Sequence, residues 1–152
     1  MNRLNGKVIV VTGAGAGFGR GIVKKLTAEG AKVLAVDIHQ ENVEATAKAA
    51  PEGSCFPHVN DVTLESAWRD ILDAALKNFG KLDIVVNCAG VVHIAAPSHE
   101  VPEDQFDAMF RQVRVLISNR GLTELQGQCE ANLSFVQSRC AVLEGEEVRR
   151  AM

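Results

Sequence analysis

Thr12-Gly13-Ala14-Gly15-Ala16-Gly17-Phe18-Gly19 decides the fold. Lys7-Val8-Ile9-Val10-Val11-Thr12 leads into it, a β-branched run of the kind buried on both faces of a parallel sheet. Beyond it Phe18, Ile22, Val23 and Leu26 recur at helical spacing, and Gly30 follows as a helix stop. Strand, glycine turn and helix together make a place where a phosphate can approach the backbone. The approach needs positions without a Cβ, and the opening turn of a helix has N–H donors without partners. The plainer alternative is a glycine-rich connection that only lets the helix pack closely.

The same alternation continues outward. Lys32-Val33-Leu34-Ala35-Val36-Asp37 reads as a second strand. The alanine-rich stretch from Glu41 to Ala50 reads as a helix stopped by Pro51. Cys55-Phe56-Pro57-His58-Val59-Asn60 is a weaker strand, and its Pro57 puts it at a sheet edge. Leu64, Trp68, Ile71, Leu72, Ala75, Leu76 and Phe79 form one apolar helix face, ended by Gly80. Leu82-Asp83-Ile84-Val85-Val86-Asn87 is a fourth strand, and Pro102-Glu103-Asp104 starts a helix carrying Phe106, Met109 and Phe110. The expected architecture is α/β, a Rossmann-like parallel sheet ordered 3-2-1-4 by right-handed crossovers, with helices on both faces.

Asp37 closes the second strand, 24 residues after Gly13. A carboxylate there can accept hydrogen bonds from both hydroxyls of an adenosine ribose and would repel a 2′-phosphate. NAD is therefore favoured over NADP as the ligand, unless a basic neighbour reverses the choice. Ala16 is not basic, but Arg20 is. Asp37 can also be read simply as a turn former.

Composition narrows the alternatives. The chain has 152 residues, 47% hydrophobic and 23% charged, with a net charge of −3. That size suits one domain, and the charge argues against nucleic-acid or anionic-membrane partners. No apolar run spans a membrane and no signal-peptide core follows Met1, so a cytoplasmic protein is expected. There is no tyrosine, which removes any phenol from the chemistry of this chain. Cys55, Cys88, Cys129 and Cys140 are widely spaced and do not pair with His39, His58, His93 or His99. No metal site is expected from such spacing.

The pattern changes near Arg111. Before that position lie 7 lysines and 3 arginines; from it onward there are 6 arginines and no lysine. The strand–helix alternation stops as well. Residues 1–111 are read as a dinucleotide-binding unit and residues 112–152 as a divergent tail whose structure the pattern leaves open.

Taken together, the motifs resemble those of the short-chain dehydrogenase/reductase family over about residues 5–111. Thr12, Gly13, Gly17 and Gly19 match its T-G-x-x-x-G-x-G loop, within which Gly15 and Phe18 also fall, and Asp37 matches its ribose acid. Asn60-Asp61-Val62 is similar to the segment where an acid meets the adenine amino group and an apolar residue packs on the ring. Asn87-Cys88-Ala89-Gly90 is similar to the N-N-A-G motif beside the cofactor, with Cys88 in place of the second Asn. The resemblance implies a cofactor site of Thr12, Gly13, Gly15, Gly17, Phe18, Gly19, Asp37, Asp61, Val62, Asn87, Ala89 and Gly90.

It also implies an oxidoreductase in which a Tyr, assisted by a Lys four residues later, exchanges a proton with the substrate oxygen. A Ser and a helix Asn support that step. No residue here inherits these roles. There is no tyrosine, no lysine follows Lys81, and Val113 stands where the helix Asn is expected. Ser134 and Ser138 fall near the serine's place, but their surroundings do not match. Three readings follow. One is an NAD-binding module without its own catalytic apparatus. Another is an oxidoreductase with a replacement acid such as Cys129, Cys140 or His93. The third is a non-enzymatic partner that self-associates or pairs with a full-length relative through an exposed strand edge.

Overall fold

The computed structural model describes residues 2–90, 102–105 and 107. Four strands and three helices alternate along the chain. They are β1 (Val8–Thr12), α1 (Gly17–Ala28), β2 (Lys32–Asp37), α2 (Gln40–Lys48), β3 (Cys55–Val59), α3 (Glu65–Phe79) and β4 (Ile84–Val86). All strand pairs are parallel and the order is β3-β2-β1-β4, as the residue pattern predicts. Residues 103–105 and 107 are helical, in keeping with the expected helix start at Pro102.

Burial follows from position in the sheet. Every residue of β1 is buried, as are Val33 to Val36 of β2, because these central strands have a neighbour on each side and a helix over each face. Side chains alternate between faces. Ile9, Val11, Val33 and Ala35 pack with Val23 of α1 and Val43 of α2 on one side. The other face is covered by α3, which contributes buried Ala67, Trp68, Ile71 and Ala75. Pro57, which has no N–H to give a ladder, lies on the edge strand β3, whose partner is β2. At that edge Phe56 meets Phe79 of α3 edge to face, with ring centroids 5.3 Å apart.

Three expectations need correction. Phe18 does not share the buried face of α1: it is 89% exposed in the helix's first turn, beside the carboxyl ends of the strands. Leu64 and Leu76 likewise stay largely exposed, so the packed stripe of α3 is narrower than the run of apolar residues. The fourth strand is also shorter than the apolar run 82–87, and at each of its ends a side chain takes up a backbone amide. Asp83 Oδ2 accepts the Val8 amide at 2.7 Å, and Thr12 Oγ1 accepts the Cys88 amide at 3.0 Å. No helix among the described residues is long and apolar enough to cross a membrane.

Candidate functional site

The sheet changes direction between β1 and β4. The chain runs outward from β1 to β2 and β3, then crosses through α3 to the opposite side of β1. A crevice at the carboxyl ends of the strands is where such sheets take ligands. The residues singled out in the sequence gather there: Thr12 at the end of β1, Asp37 at the end of β2, Asp61 and Val62 after β3, and Asn87 to Gly90 after β4.

The loop after β1 is shaped by missing side chains. Gly13 has φ +65°, and a Cβ on it would lie 2.7 Å from Ala89 Cα and 2.9 Å from Ala89 N. A Cβ on Gly19 would lie 2.0 Å from the Gly13 carbonyl oxygen, which brings the first turn of α1 hard against the loop. A Cβ on Gly15 would lie 2.8 Å from Asp37 Oδ2. Each glycine therefore permits a contact with backbone or with a carboxylate that any other residue would block. Ala16, the N-cap of α1, has no side chain that could cap the helix, and its first turn carries no acid. The amides of Gly17, Phe18 and Gly19 thus open the helix without intrahelical partners, an arrangement suited to an anion.

Asp37 is held from two directions. Its Oδ2 accepts the Gly15 amide at 2.8 Å and its Oδ1 accepts the His39 amide at 3.0 Å. Each carboxylate oxygen keeps acceptor capacity for a further donor such as a hydroxyl. The next segment is tied to the same strand end, since the Asn60 amide donates to the Asp37 carbonyl at 3.1 Å. Asp61 Oδ1 accepts the amide and the hydroxyl of Thr63, at 2.9 and 2.7 Å, which fixes the turn into α3. Val62 is buried, and its carbonyl accepts Trp68 Nε1 at 3.2 Å. Asn87 and Gly90 are exposed on either side of Cys88 and Ala89.

Residue spacing did not single out Thr46. It is buried within α2, its hydroxyl lies 2.9 Å from the Ala14 carbonyl and 3.0 Å from that of Asn42, and it accepts Arg20 Nε at 3.1 Å. Arg20 also donates through Nη2 to the Gly15 carbonyl. A signal was available: Thr46 lies three residues after Val43, on the buried side of the helix, where a hydroxyl needs a partner.

Among the described residues, no group of three or more His, Cys, Asp or Glu is placed to hold a metal. His93, Val113, Cys129, Ser134, Ser138 and Cys140 lie outside the described residues.

Comparison with known proteins agrees with this fold. A family model described as short chain dehydrogenase matches residues 7–113. Over 110 residues the chain is 40% identical to 4-formylbenzenesulfonate dehydrogenase from Comamonas testosteroni, a match spanning 71% of this chain and 44% of that protein. It is 33% identical over 109 residues to a 3-oxoacyl-(acyl-carrier-protein) reductase from Thermotoga maritima, spanning 70% of this chain and 44% of the relative. The crystal structure of a 3-ketoacyl-(acyl-carrier-protein) reductase from Brucella melitensis, complexed with NADH, superposes with a TM-score of 0.70 at 35% identity. That superposition covers 75% of this chain and 48% of the other. The chain thus spans less than half the length of these relatives.

Proposed function

This chain belongs to the short-chain dehydrogenase family, and on that premise we propose that residues 1–111 form a unit that binds the adenosine and pyrophosphate portion of NAD. The observation that carries the proposal is the Gly13–Ala89 contact with Asp37 aimed across Gly15. The open crevice end receives the pyrophosphate at the amides of Gly17, Phe18 and Gly19. Asp37 accepts the ribose hydroxyls, Asp61 and Val62 flank the adenine, and Asn87, Ala89 and Gly90 border the path toward the nicotinamide.

NAD is the preferred cofactor because the Asp37 carboxylate repels a 2′-phosphate. Arg20 does not offset this, since its guanidinium is engaged by Gly15 and Thr46. When bound, the nicotinamide supplies a site for hydride transfer. This chain contributes binding and orientation but no tyrosine to move the accompanying proton, so the 152 residues alone do not turn over at a rate typical of the family. The test is purified protein with NAD, NADP and a panel of secondary alcohols. Calorimetric binding of NAD without reduced nicotinamide accumulating is expected; robust turnover that vanishes in Gly13→Val overturns the assignment.

A second reading, association with another copy or with a full-length relative, is favoured by the half-burial of Ile84, Val85 and Val86 beside the fully buried β1. Size-exclusion chromatography separates it from the first, which predicts NAD binding by the monomer.

A further inference from the structure

Arg20, Thr46 and residue Gly15 form a continuous link between α1, α2 and the end of β2. The carbonyl of Gly15 accepts Arg20 Nη2, and the amide of the same residue donates to Asp37 Oδ2 at 2.8 Å. Arg20 is held in turn by Thr46 Oγ1, which accepts its Nε at 3.1 Å. The Thr46 hydroxyl reaches the loop again at the Ala14 carbonyl, 2.9 Å away, with the Asn42 carbonyl of its own helix 3.0 Å away on the same proton. The glycine loop is therefore fastened at Ala14 by Thr46 and at Gly15 by Arg20. The Ala14 amide completes the hold, donating to the Val36 carbonyl at 3.0 Å beside Asp37.

We propose that Thr46 and Arg20 are positioning residues that set the Ala14–Gly15 peptide, and through it the carboxylate of Asp37, for recognition of the adenosine ribose 2′-hydroxyl. The proposal rests on the NAD-binding reading above. Its physical content is orientation. The Ala14–Gly15 peptide is one rigid plane, and with a glycine after it that plane can swing unless both of its ends are held. Its donor end, the Gly15 N–H, meets Asp37, and its acceptor end, the Ala14 carbonyl, meets the buried Thr46 hydroxyl; the planar fork of Arg20 holds that hydroxyl through Nε and the next peptide, at the Gly15 carbonyl, through Nη2. Without the Thr46 hydroxyl, or the guanidinium that holds it, the Ala14–Gly15 peptide is free to turn and Asp37 Oδ2 loses its backbone donor. The carboxylate then keeps only the His39 amide and can swing away from the ribose.

The measurement is the ratio of affinities for NAD and its adenosine 2′-deoxy analogue, taken by calorimetry. In the wild-type chain the analogue is expected to bind about tenfold more weakly, the worth of one hydrogen bond to a charged group. Arg20→Met and Thr46→Val should bring the ratio close to one, whereas Thr46→Ser, which keeps the hydroxyl, should preserve it. Parallel losses of affinity for both ligands, with the ratio intact, would show that the pair only supports the loop and would overturn the proposal. Failure of the NAD-binding reading has a different signature: wild-type protein would not bind NAD, or Asp37→Ala would leave the ratio unchanged. Hydrogen exchange of the Gly15 amide in the unliganded chain provides a readout independent of ligand. Exchange should quicken in Arg20→Met and Thr46→Val but not in Thr46→Ser, and equal rates in all four proteins would also overturn the proposal.

Discussion

The Thr12 hydroxyl accepts the Ala89 amide at 3.1 Å, across 77 residues of sequence. It accepts the Cys88 amide as well, at 3.0 Å. Thr12 is itself buried at the last position of β1. One side chain thus closes the β1–β4 pair where the backbone ladder stops, and holds Ala89 at the distance that Gly13 needs. The floor of the candidate site is built by this contact.

Thr12→Val keeps the shape of the side chain and removes the acceptor. Two partly buried amides lose their partner, and stability should fall by about 1–3 kcal/mol. Urea denaturation followed by circular dichroism measures it. Thr12→Ser should recover most of the loss, and a valine variant as stable as wild type would contradict the role given to the hydroxyl.

Gly13→Val and Gly21→Ala should behave oppositely. At Gly13 the added carbon meets Ala89 backbone at 2.7 Å, and φ is +65°. Steric conflict and backbone strain of roughly 1–3 kcal/mol should displace the loop and abolish NAD binding. At Gly21, within α1, nothing lies within 4 Å of the new carbon. Alanine there should stabilise the helix by about 0.5–1 kcal/mol and leave NAD affinity unchanged. Thermal melts and calorimetry on both variants check the contrast.

Asp37→Ala should weaken NAD binding by about 1.5–3 kcal/mol, the value of hydrogen bonds to a charged group. NADP should lose less, because a repulsion with its 2′-phosphate disappears together with the hydrogen bonds. Equal losses for the two cofactors would count against Asp37 as the ribose acceptor.

Asp83 ties the start of β1 to β4 and makes stability depend on acid pH. Partial burial works to raise its pKa, but hydrogen bonds from Lys81 and the Val8 amide, with the charges of Lys81 and Lys7, hold it below the usual carboxylate value. A carboxyl group more acidic in the folded state stabilises the fold above its unfolded pKa of about 3.9. That contribution fades as pH falls through the lower folded value. Asp83→Asn should therefore cost stability at neutral pH and flatten the decline below about pH 4. Denaturation midpoints across that range report both effects.

Cys55 should react slowly with alkylating reagents. Burial on β3 pushes its thiol up to about 11, against a smaller opposing effect of the Ala35 backbone. The nucleophilic thiolate is then scarce at pH 8. Iodoacetamide labelling read by mass spectrometry at Cys55 should accelerate as pH rises toward 11. Fast modification of the folded protein at pH 8 would contradict the burial.

Periodicity and composition were enough to identify the strands around Val8–Thr12 and Lys32–Asp37, the helices after them, and the edge position of Pro57. These are local matters: a β-branched run, a repeat of 3.6 residues or a proline acts through near neighbours in the chain. The glycine loop and Asp37 were legible for the same reason, because each sits at a strand end that its own residues announce. Contacts among residues far apart in sequence were not. The hold of Thr12 on Ala89, the Asp83 carboxylate that takes the Val8 amide in place of a ladder carbonyl, and the Arg20–Thr46 link exist only once sheet order and register bring those residues together. The same holds for the exposure of Phe18 and Leu64. An apolar side chain is buried only if another element lies over it, and the spacing of residues along one helix carries no information about that neighbour.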